Sequence, residues 1–415
     1  MDKNTLKEII LRQQDFVSRI RLQKRSACLE KNANYVLVGM RRAGKSYTLY
    51  QYIQQLIAEG HSKEEMLFIN FEDERIAEIT KDDLHLILDA YSEMFPHEPI
   101  IFLDEIQNVA GWEHFARRLA DEKRRVLVTG SNAHMLSREI SSTLGGRYLT
   151  KEIYPFSFRE YLEFHGVTLD RNWEFSPVRN TVVRLFPDYF YYGGLPEVFQ
   201  IADKQGWLQS LYQKILFSDI VIRKGVRNDA SLRMLIRKLA DSVMQPMAIK
   251  RMQNILQGNG TKVSWETIVN YIDYMRDSYL MFSIGNFSAA LTERESVKKH
   301  YFCDNGILNL FLFQPEPKLL ENIVAINLYK RYGNRLFYYN KNVEVDFCVP
   351  SDHLLVQVAY NLSSEETLNR EVGALLKTAD FLGADRLLIV TYDQERTISE
   401  GGRNIEVVPV WKWLL

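Results

Sequence analysis

The chain has 415 residues, of which 46% are apolar and 25% charged, and its formal net charge is −1. This length accommodates roughly two to four domains with a core large enough to need no covalent staples. The near-neutral balance excludes a global electrostatic pull toward nucleic acid or anionic lipid, so any such binding has to come from a local patch.

The three cysteines, Cys28, Cys303 and Cys348, stand far apart and form no C-x-x-C pair, and the eight histidines show no ligand spacing. A disulfide scaffold and a zinc site are therefore not expected, whereas a reducing compartment is. The opening stretch MDKNTLKEIILRQQDF lacks the apolar segment of a secretory signal. No apolar run approaches the ~20 residues of a membrane span. The expectation is a soluble cytoplasmic protein that makes no use of a membrane.

In chain order, residues 1–30 read as an exposed, mixed-charge helical extension. A β-rich run at 35–38 is followed by GMRRAGKS and by helical spacing over 45–59, with Leu49, Ile53, Leu56 and Ile57 on one face. Further apolar runs, MLFIN at 66–70, IIFLDE at 100–105 and RVLVTGS at 125–131, alternate with helical segments such as 82–95 and 112–122. Near-continuously apolar strands separated by helices predict a parallel sheet covered on both faces. Residues 157–225 are richer in aromatics and read as a helical lid broken at Gly193, Gly194 and Pro196. Residues 226–289 hold three short helical patterns and a strand-like ending. From 290 to 415 the α/β texture returns, with helices at 317–331 and 365–381 between strand runs.

The loop at 39–46 matches G-x-x-x-x-G-K-[ST] and lies between a strand and a helix, the context its chemistry requires. Glycines at both ends let successive N–H groups face one anion, and the following helix points its positive end at the same place. Gly39, Arg42, Ala43, Gly44, Lys45, Ser46 and Tyr47 are the candidate nucleotide-binding positions. Lys45 would reach the outer phosphates and Ser46 would ligate Mg²⁺. The side chains of Arg41 and Arg42 are read as solvated. Asp104 closes an apolar strand and is placed to support the metal, and Glu105 beside it to polarise an attacking water. Ser131 or Asn132 would bridge the γ-phosphate and that water. Asn132 is equally suited to cap a helix over AHMLSREI, residues 133–140.

These motifs, with LGGRY, YPFSFREYL, YYGGLPEVF, YFCDNGILNLFL and VEVDFCV, make the chain resemble the AAA-type ATPases. The likeness is to the prokaryotic single-chain branch with a nuclease-like C-terminal domain of unassigned function. The resemblance implies a core at 31–156 that binds ATP and Mg²⁺ through Gly39, Gly44, Lys45, Ser46 and Asp104. It makes Glu105 the catalytic base and Asn132 or Ser131 the polar sensor. Arg147 in LGGRY is either an arginine acting across a subunit boundary in an oligomer or a plain surface residue. The guanine-reading N-K-x-D motif does not occur, although NKNVE at 340–344 comes near it.

Residues 221–262 gather Arg223, Lys224, Arg227, Arg233, Arg237, Lys238, Lys250, Arg251 and Lys262 against only Asp229 and Asp241. The following pattern of helix, turn at Gly258 and Gly260, helix and strand resembles a winged helix-turn-helix. Lys262, Ser264, Thr267 and Asn270 could meet duplex DNA from residues 221–270, whereas Glu266 and Asp273 oppose phosphate. The same element also serves protein docking.

VEVDFCV followed by LLVQVAY resembles the strand pair of restriction-endonuclease-like domains. Asp346 takes the first acidic position, with Glu344 on the same face, and Glu321 supplies a further carboxylate from the preceding helix. Gln357 and Ala359 stand where the second carboxylate and the lysine belong, so the site is expected to be degenerate and the domain to bind a protein partner. The whole predicts an α/β protein: a P-loop ATPase with a parallel sheet, a helical lid, a winged-helix segment and a nuclease-like C-terminal domain. The function it implies is an ATP-hydrolysing switch coupled to DNA or to protein; the rivals are a purely protein-binding regulator and an ATP-gated nuclease.

Overall fold

The computed structural model describes residues 2–132, 142–258 and 263–415. The helix expected at 133–140, and Gly260 and Lys262, lie outside the described residues. The chain divides into two compact units, one formed by residues 1–154 with 277–279, the other by 155–276 and 280–415.

In the first unit five parallel strands, β1 (Asn34–Val38), β2 (Met66–Asn70), β3 (Ile100–Asp104), β4 (Val126–Gly130) and β5 (Tyr148–Glu152), form a sheet in the order β2-β3-β4-β1-β5. Alternate side chains serve opposite faces. Val36, Val38, Leu67, Ile69, Leu103 and Val128 pack with α3 (His85–Ser92) and α4 (Trp112–Asp121), whereas Leu37, Phe68, Phe102 and Leu127 pack with α2 (Lys45–Ala58). Burial on both faces is why these strands read as continuous apolar runs. The N-terminal helix α1 (Lys3–Arg19) is not the exposed extension that its charge suggested. Leu6, Ile9, Ile10 and Val17 are buried, and Gln14 Nε2 donates to the carbonyls of Glu64 and Met66 at 3.2 and 3.1 Å. Helix α1 thereby covers the edge at β2, which would otherwise expose unpaired backbone.

Among the described residues, the second unit contains two sheets. β6 (Met247–Ala248), β7 (Met281–Gly285) and β8 (Val297–Phe302) form an antiparallel sheet in the order β6-β8-β7. In chain order β6 lies between the helices Asp229–Asp241 and Ile249–Gly258, β7 follows the helix Trp265–Asp277, and β8 falls beyond residue 289. The larger sheet joins β9 (Phe337–Asn340), β10 (Glu344–Val349), β11 (Leu354–Val358), β12 (Arg386–Thr391), β13 (Arg396–Glu400) and β14 (Arg403–Pro409) in the order β13-β14-β12-β11-β10-β9. It is parallel at β11-β12-β14 and antiparallel elsewhere.

Asp304 fastens YYGG to the turn after β8. Its Oδ2 accepts from the Gly194 N–H at 2.8 Å and its Oδ1 from Gly306 and Ile307 at 2.9 and 3.3 Å. Gly193, at φ 78°, leaves room for that carboxylate; a Cβ there would lie 2.1 Å from Asp304 Oδ1.

Candidate functional site

In a parallel sheet the carboxyl ends of the strands open on one edge, where ligands bind. The loop after β1, the acidic pair after β3 and the polar end of β4 all lie there. Gly39 has φ 149°, and a Cβ on it would come 2.1 Å from the Ile153 carbonyl, so the loop can start only with glycine. Gly44, at φ 97°, precedes α2, and a Cβ there would meet Arg25 Nη1 at 2.7 Å. Arg25 is buried and donates to the carbonyls of Ala43 and Tyr154, each at 2.7 Å, which anchors the loop from behind. Sequence reasoning did not single it out.

Lys45 is folded into its own loop. Its Nζ donates to the Gly39 and Met40 carbonyls, both at 3.2 Å, and lies 3.4 Å from Glu105 Oε1. Asp104 accepts from Thr129 Oγ1 at 2.5 Å, and the Glu105 N–H donates to the same hydroxyl at 2.9 Å. Thr129, another residue not foreseen, therefore ties β4 to both acidic residues. Ser46 also donates to Asp104. Burial first, then the neighbouring Glu105 charge, pushes the Asp104 carboxyl up to about 6 against the hydrogen bonds of Thr129 and Ser46. Burial acts the same way on Glu105, but Lys45 and the Gln107 hydrogen bond outweigh it and hold that carboxyl below its ordinary range. Glu105 itself sits at φ 53°, a left-handed conformation that costs a non-glycine residue of order 1–3 kcal/mol and clusters at functional sites.

Lys45, Ser46, Asp104, Glu105 and Ser131 are thus brought together, with Gln107 Nε2 between Glu105 Oε2 (2.5 Å) and Ser131 Oγ (3.4 Å). Asn132 follows Ser131 and is buried. Two buried carboxylates, one ammonium and a hydroxyl leave a net negative charge, a donor set that suits a divalent cation. Ala43 is buried and Arg42 takes φ 65° in the loop. Tyr47 is half exposed, its ring 5.5 Å from that of Tyr50. Arg41 is not solvated as expected: it is largely buried and pairs with Glu72 at 2.9 Å. Arg147 stands at the amino end of β5, away from the loop edge, and pairs with Asp121.

In the second unit the residues expected to form a degenerate nuclease site do meet, around a lysine the sequence did not reveal. Lys299, on β8, has no exposed side-chain surface, and its Nζ lies 3.4 Å from Glu321 Oε1, 2.9 Å from Glu344 Oε1 and 3.1 Å from Asp346 Oδ1. Tyr301 donates to Glu321 at 2.6 Å. Gln357 accepts from the Asp346 N–H at 2.8 Å and donates to Glu371 Oε2 at 2.7 Å. Burial, then the Asp346 charge, raises the proton affinity of Glu321, whereas the three carboxylates together hold Lys299 protonated in spite of burial.

The basic middle stretch is partly neutralised. Arg223 pairs with Asp219 and Arg233 with Asp229, whereas Asp241 is taken up by Lys318 from outside the stretch. Lys224 and Arg227 line a pocket of about 330 Å³ with Ser264, Thr267 and Asn270 at the start of the helix Trp265–Asp277.

Fold and site together define a P-loop ATPase domain on a five-stranded parallel sheet. The AAA domain family matches residues 31–162, and a domain family of unknown function matches 183–318. The chain is 34% identical over 434 residues to an uncharacterized protein, MJ1544, of Methanocaldococcus jannaschii, spanning 100% of this chain and 96% of that one. It is 31% identical over 394 residues to an uncharacterized protein of Haemophilus influenzae, spanning 92% and 94%. The chain belongs to the family that these two proteins represent. Among solved structures, the Walker-type ATPase PABY2304 of Pyrococcus abyssi is 13% identical with a TM-score of 0.42, over 71% of this chain and 99% of that one. Among the described residues no helix is long and apolar enough to cross a membrane.

Removing the buried ammonium should destabilise the second unit. Lys299→Met leaves Glu321, Glu344 and Asp346 without their shared counter-charge, a loss of about 3–5 kcal/mol for a broken buried pair. Burial and the Asp346 charge already raise the proton affinity of Glu321, and loss of the ammonium raises it further, so the deficit is smallest at pH values near the unfolded carboxyl range and grows as pH rises above it. Urea denaturation of native and variant protein at pH 5 and pH 8 is the measurement, with the larger gap expected at pH 8.

Proposed function

We propose that this protein is an ATP-hydrolysing molecular switch that acts on duplex DNA. The observation that carries the first half is the convergence of Lys45, Ser46, Asp104, Glu105 and Ser131 on one sheet edge. Lys45 exchanges its loop carbonyls for the outer phosphates. Ser46 and Asp104 would hold Mg²⁺, which supplies charge neutralisation on the phosphates when bound. Glu105 takes a proton from the water that attacks the γ-phosphorus, and the bond to the β-phosphate breaks with its electron pair remaining on ADP. Ser131 and Asn132, at the polar end of β4, would bridge the γ-phosphate and that water. Arg147, away from the loop edge, fits a contribution to a neighbouring subunit rather than to its own site.

The pocket of Lys224, Arg227, Ser264, Thr267 and Asn270 supports the DNA half. It sets two cations beside three short polar side chains at the front of one helix, the combination that phosphate anchoring and base-edge contact require. The helices Ile249–Gly258 and Trp265–Asp277 with the β7–β8 pair support a winged-helix reading of this segment. A nuclease-like reading of the larger sheet is supported by Glu321, Glu344, Asp346 and Gln357 meeting at its edge. In that cluster Lys299 already neutralises the carboxylates, so we read it as a fixed charge knot and not a cleavage centre.

Lys45→Ala is expected to abolish ATP–Mg²⁺ binding by calorimetry; unchanged affinity would remove the nucleotide-site assignment. Glu105→Gln should retain binding and stop turnover, and native-rate hydrolysis by that variant would acquit Glu105 as the base. Affinity for duplex DNA should fall steeply with salt, as counterions are released where cations meet phosphates. Lys224→Glu with Arg227→Glu should weaken it for all sequences alike. Salt-independent binding, or none by fluorescence anisotropy, favours the protein-docking alternative. Supercoiled plasmid with Mg²⁺ or Mn²⁺ is expected to stay intact; cleavage that Asp346→Ala abolishes would restore the nuclease reading.

A further inference from the structure

Gln107 is the polar residue at the sheet edge to which neither motif gives a task. It lies in the short turn Ile106–Asn108 directly after Glu105. Its Nε2 donates to Glu105 Oε2 at 2.5 Å and reaches Ser131 Oγ at 3.4 Å. A carboxylate only accepts, so the amide nitrogen must face Glu105 and the carbonyl must point away. That carbonyl oxygen, Oε1, is buried and has no hydrogen-bond partner among the described residues. Buried polar atoms are nearly always satisfied, so an unpaired acceptor beside a reactive group is a place that a donor brought by the ligand can fill.

A second observation concerns the other oxygen of Glu105. Oε1 lies 3.4 Å from Lys45 Nζ, and Lys45 is the cation the phosphates require. Once Lys45 turns to them, Gln107 still grips the carboxylate through Oε2. The amide can therefore keep the base in place through the exchange while its own buried acceptor stays turned away from Glu105.

We propose that Gln107 is a catalytic residue of ATP hydrolysis that orients the attacking water, its Nε2 fixing Glu105 while its Oε1 accepts one of the water's hydrogens. The inference rests on the ATPase reading above. In the step itself the water oxygen bonds to the γ-phosphorus as the bond to the β-phosphate breaks, and the electron pair stays on ADP. One water proton passes to Glu105 and later to solvent. The other, held toward Gln107, remains on the phosphate product. Ser131 completes the arrangement by holding the amide nitrogen from its far side.

The test compares native protein with Gln107→Ala and Gln107→Glu in steady-state ATPase assays and in two binding measurements. One ligand is the β,γ-imido analogue of ATP with Mg²⁺, which needs no placed water; the other is ADP with aluminium fluoride and Mg²⁺, which mimics the phosphoryl group in flight. Gln107→Ala should lower kcat by on the order of 10²-fold, leave KM and imido-analogue affinity within about twofold, and weaken aluminium-fluoride complex formation at least about tenfold. Gln107→Glu can accept from water but replaces the amide donor with a like charge beside Glu105, so its kcat should fall as well. A kcat for Gln107→Ala within about twofold of native overturns the proposal, and so does an equal loss of affinity for both analogues, which marks a merely structural role. Native protein that hydrolyses no ATP overturns the ATPase reading together with this one, and that result is visible before any variant is made.

Discussion

Two adjacent carboxylates withdrawn from water set the terms for the first unit. Asp104 and Glu105 are 1% and 8% exposed, and a buried charge costs several kcal/mol unless it is paired and hydrogen-bonded. The surroundings are arranged to meet that cost. Thr129 donates to one acidic side chain and accepts from the backbone of the other residue. Lys45 and Gln107 take the two oxygens of Glu105. Since β3, β4 and β1 are neighbours in the sheet, the carboxylates, the threonine and the lysine-bearing loop arrive at one place by topology alone. The glycine at 39 follows from the same crowding, because the loop has to pass the end of β5 too closely for a side chain.

The second unit meets the same difficulty with different means. Glu321 comes from a helix, Glu344 and Asp346 from β10, and the cation from β8, a strand of the other sheet. Lys299 has no exposed surface and three carboxylate partners. Breaking such a group by removing one member is far more costly than its net contribution while intact. A cluster of this kind fixes the position of β8 against the helix Glu316–Tyr332 and β10, and it does so whether or not the surrounding fold once served cleavage.

The parts of this molecule legible in the sequence are those with a short-range signature. The strands β1 to β4 are buried on both faces and appear as apolar runs; the phosphate loop and the acidic pair are contiguous and sit at strand ends. β5 and β13 escaped notice because they are largely exposed edge strands, YLTKE and RTISE, whose polar residues carry no apolar run. The burial of α1 was hidden by its charged face, although Leu6, Ile9 and Ile10 already had helical spacing. Lys299 was the largest omission. It lies 22 residues before Glu321 and 47 before Asp346, and no local pattern announces a contact of that range. The strand pair itself, read alone, suggested a site lacking a cation. Arg25 and Thr129 are similar cases: each acts through a side-chain bond to a distant segment, and only the three-dimensional path of the chain creates it.

The two buried lysines also differ in what can be taken from them. Lys45 holds two backbone carbonyls and approaches one carboxylate from the rim of an open sheet edge. Carbonyl partners are neutral, so leaving them strands no charge, and the carboxylate it leaves keeps a hydrogen bond from Gln107. An anion entering the loop can therefore recruit this ammonium at modest cost. Lys299 has no such freedom, because its departure would leave the buried Glu321 and the largely buried Asp346, with the more exposed Glu344 beside them, without a counter-charge. A counter-ion that can be exchanged makes a site responsive to a charged ligand; one that cannot makes a scaffold. The same residue type, buried to nearly the same degree, takes opposite roles here because its partners are carbonyls in one place and carboxylates in the other.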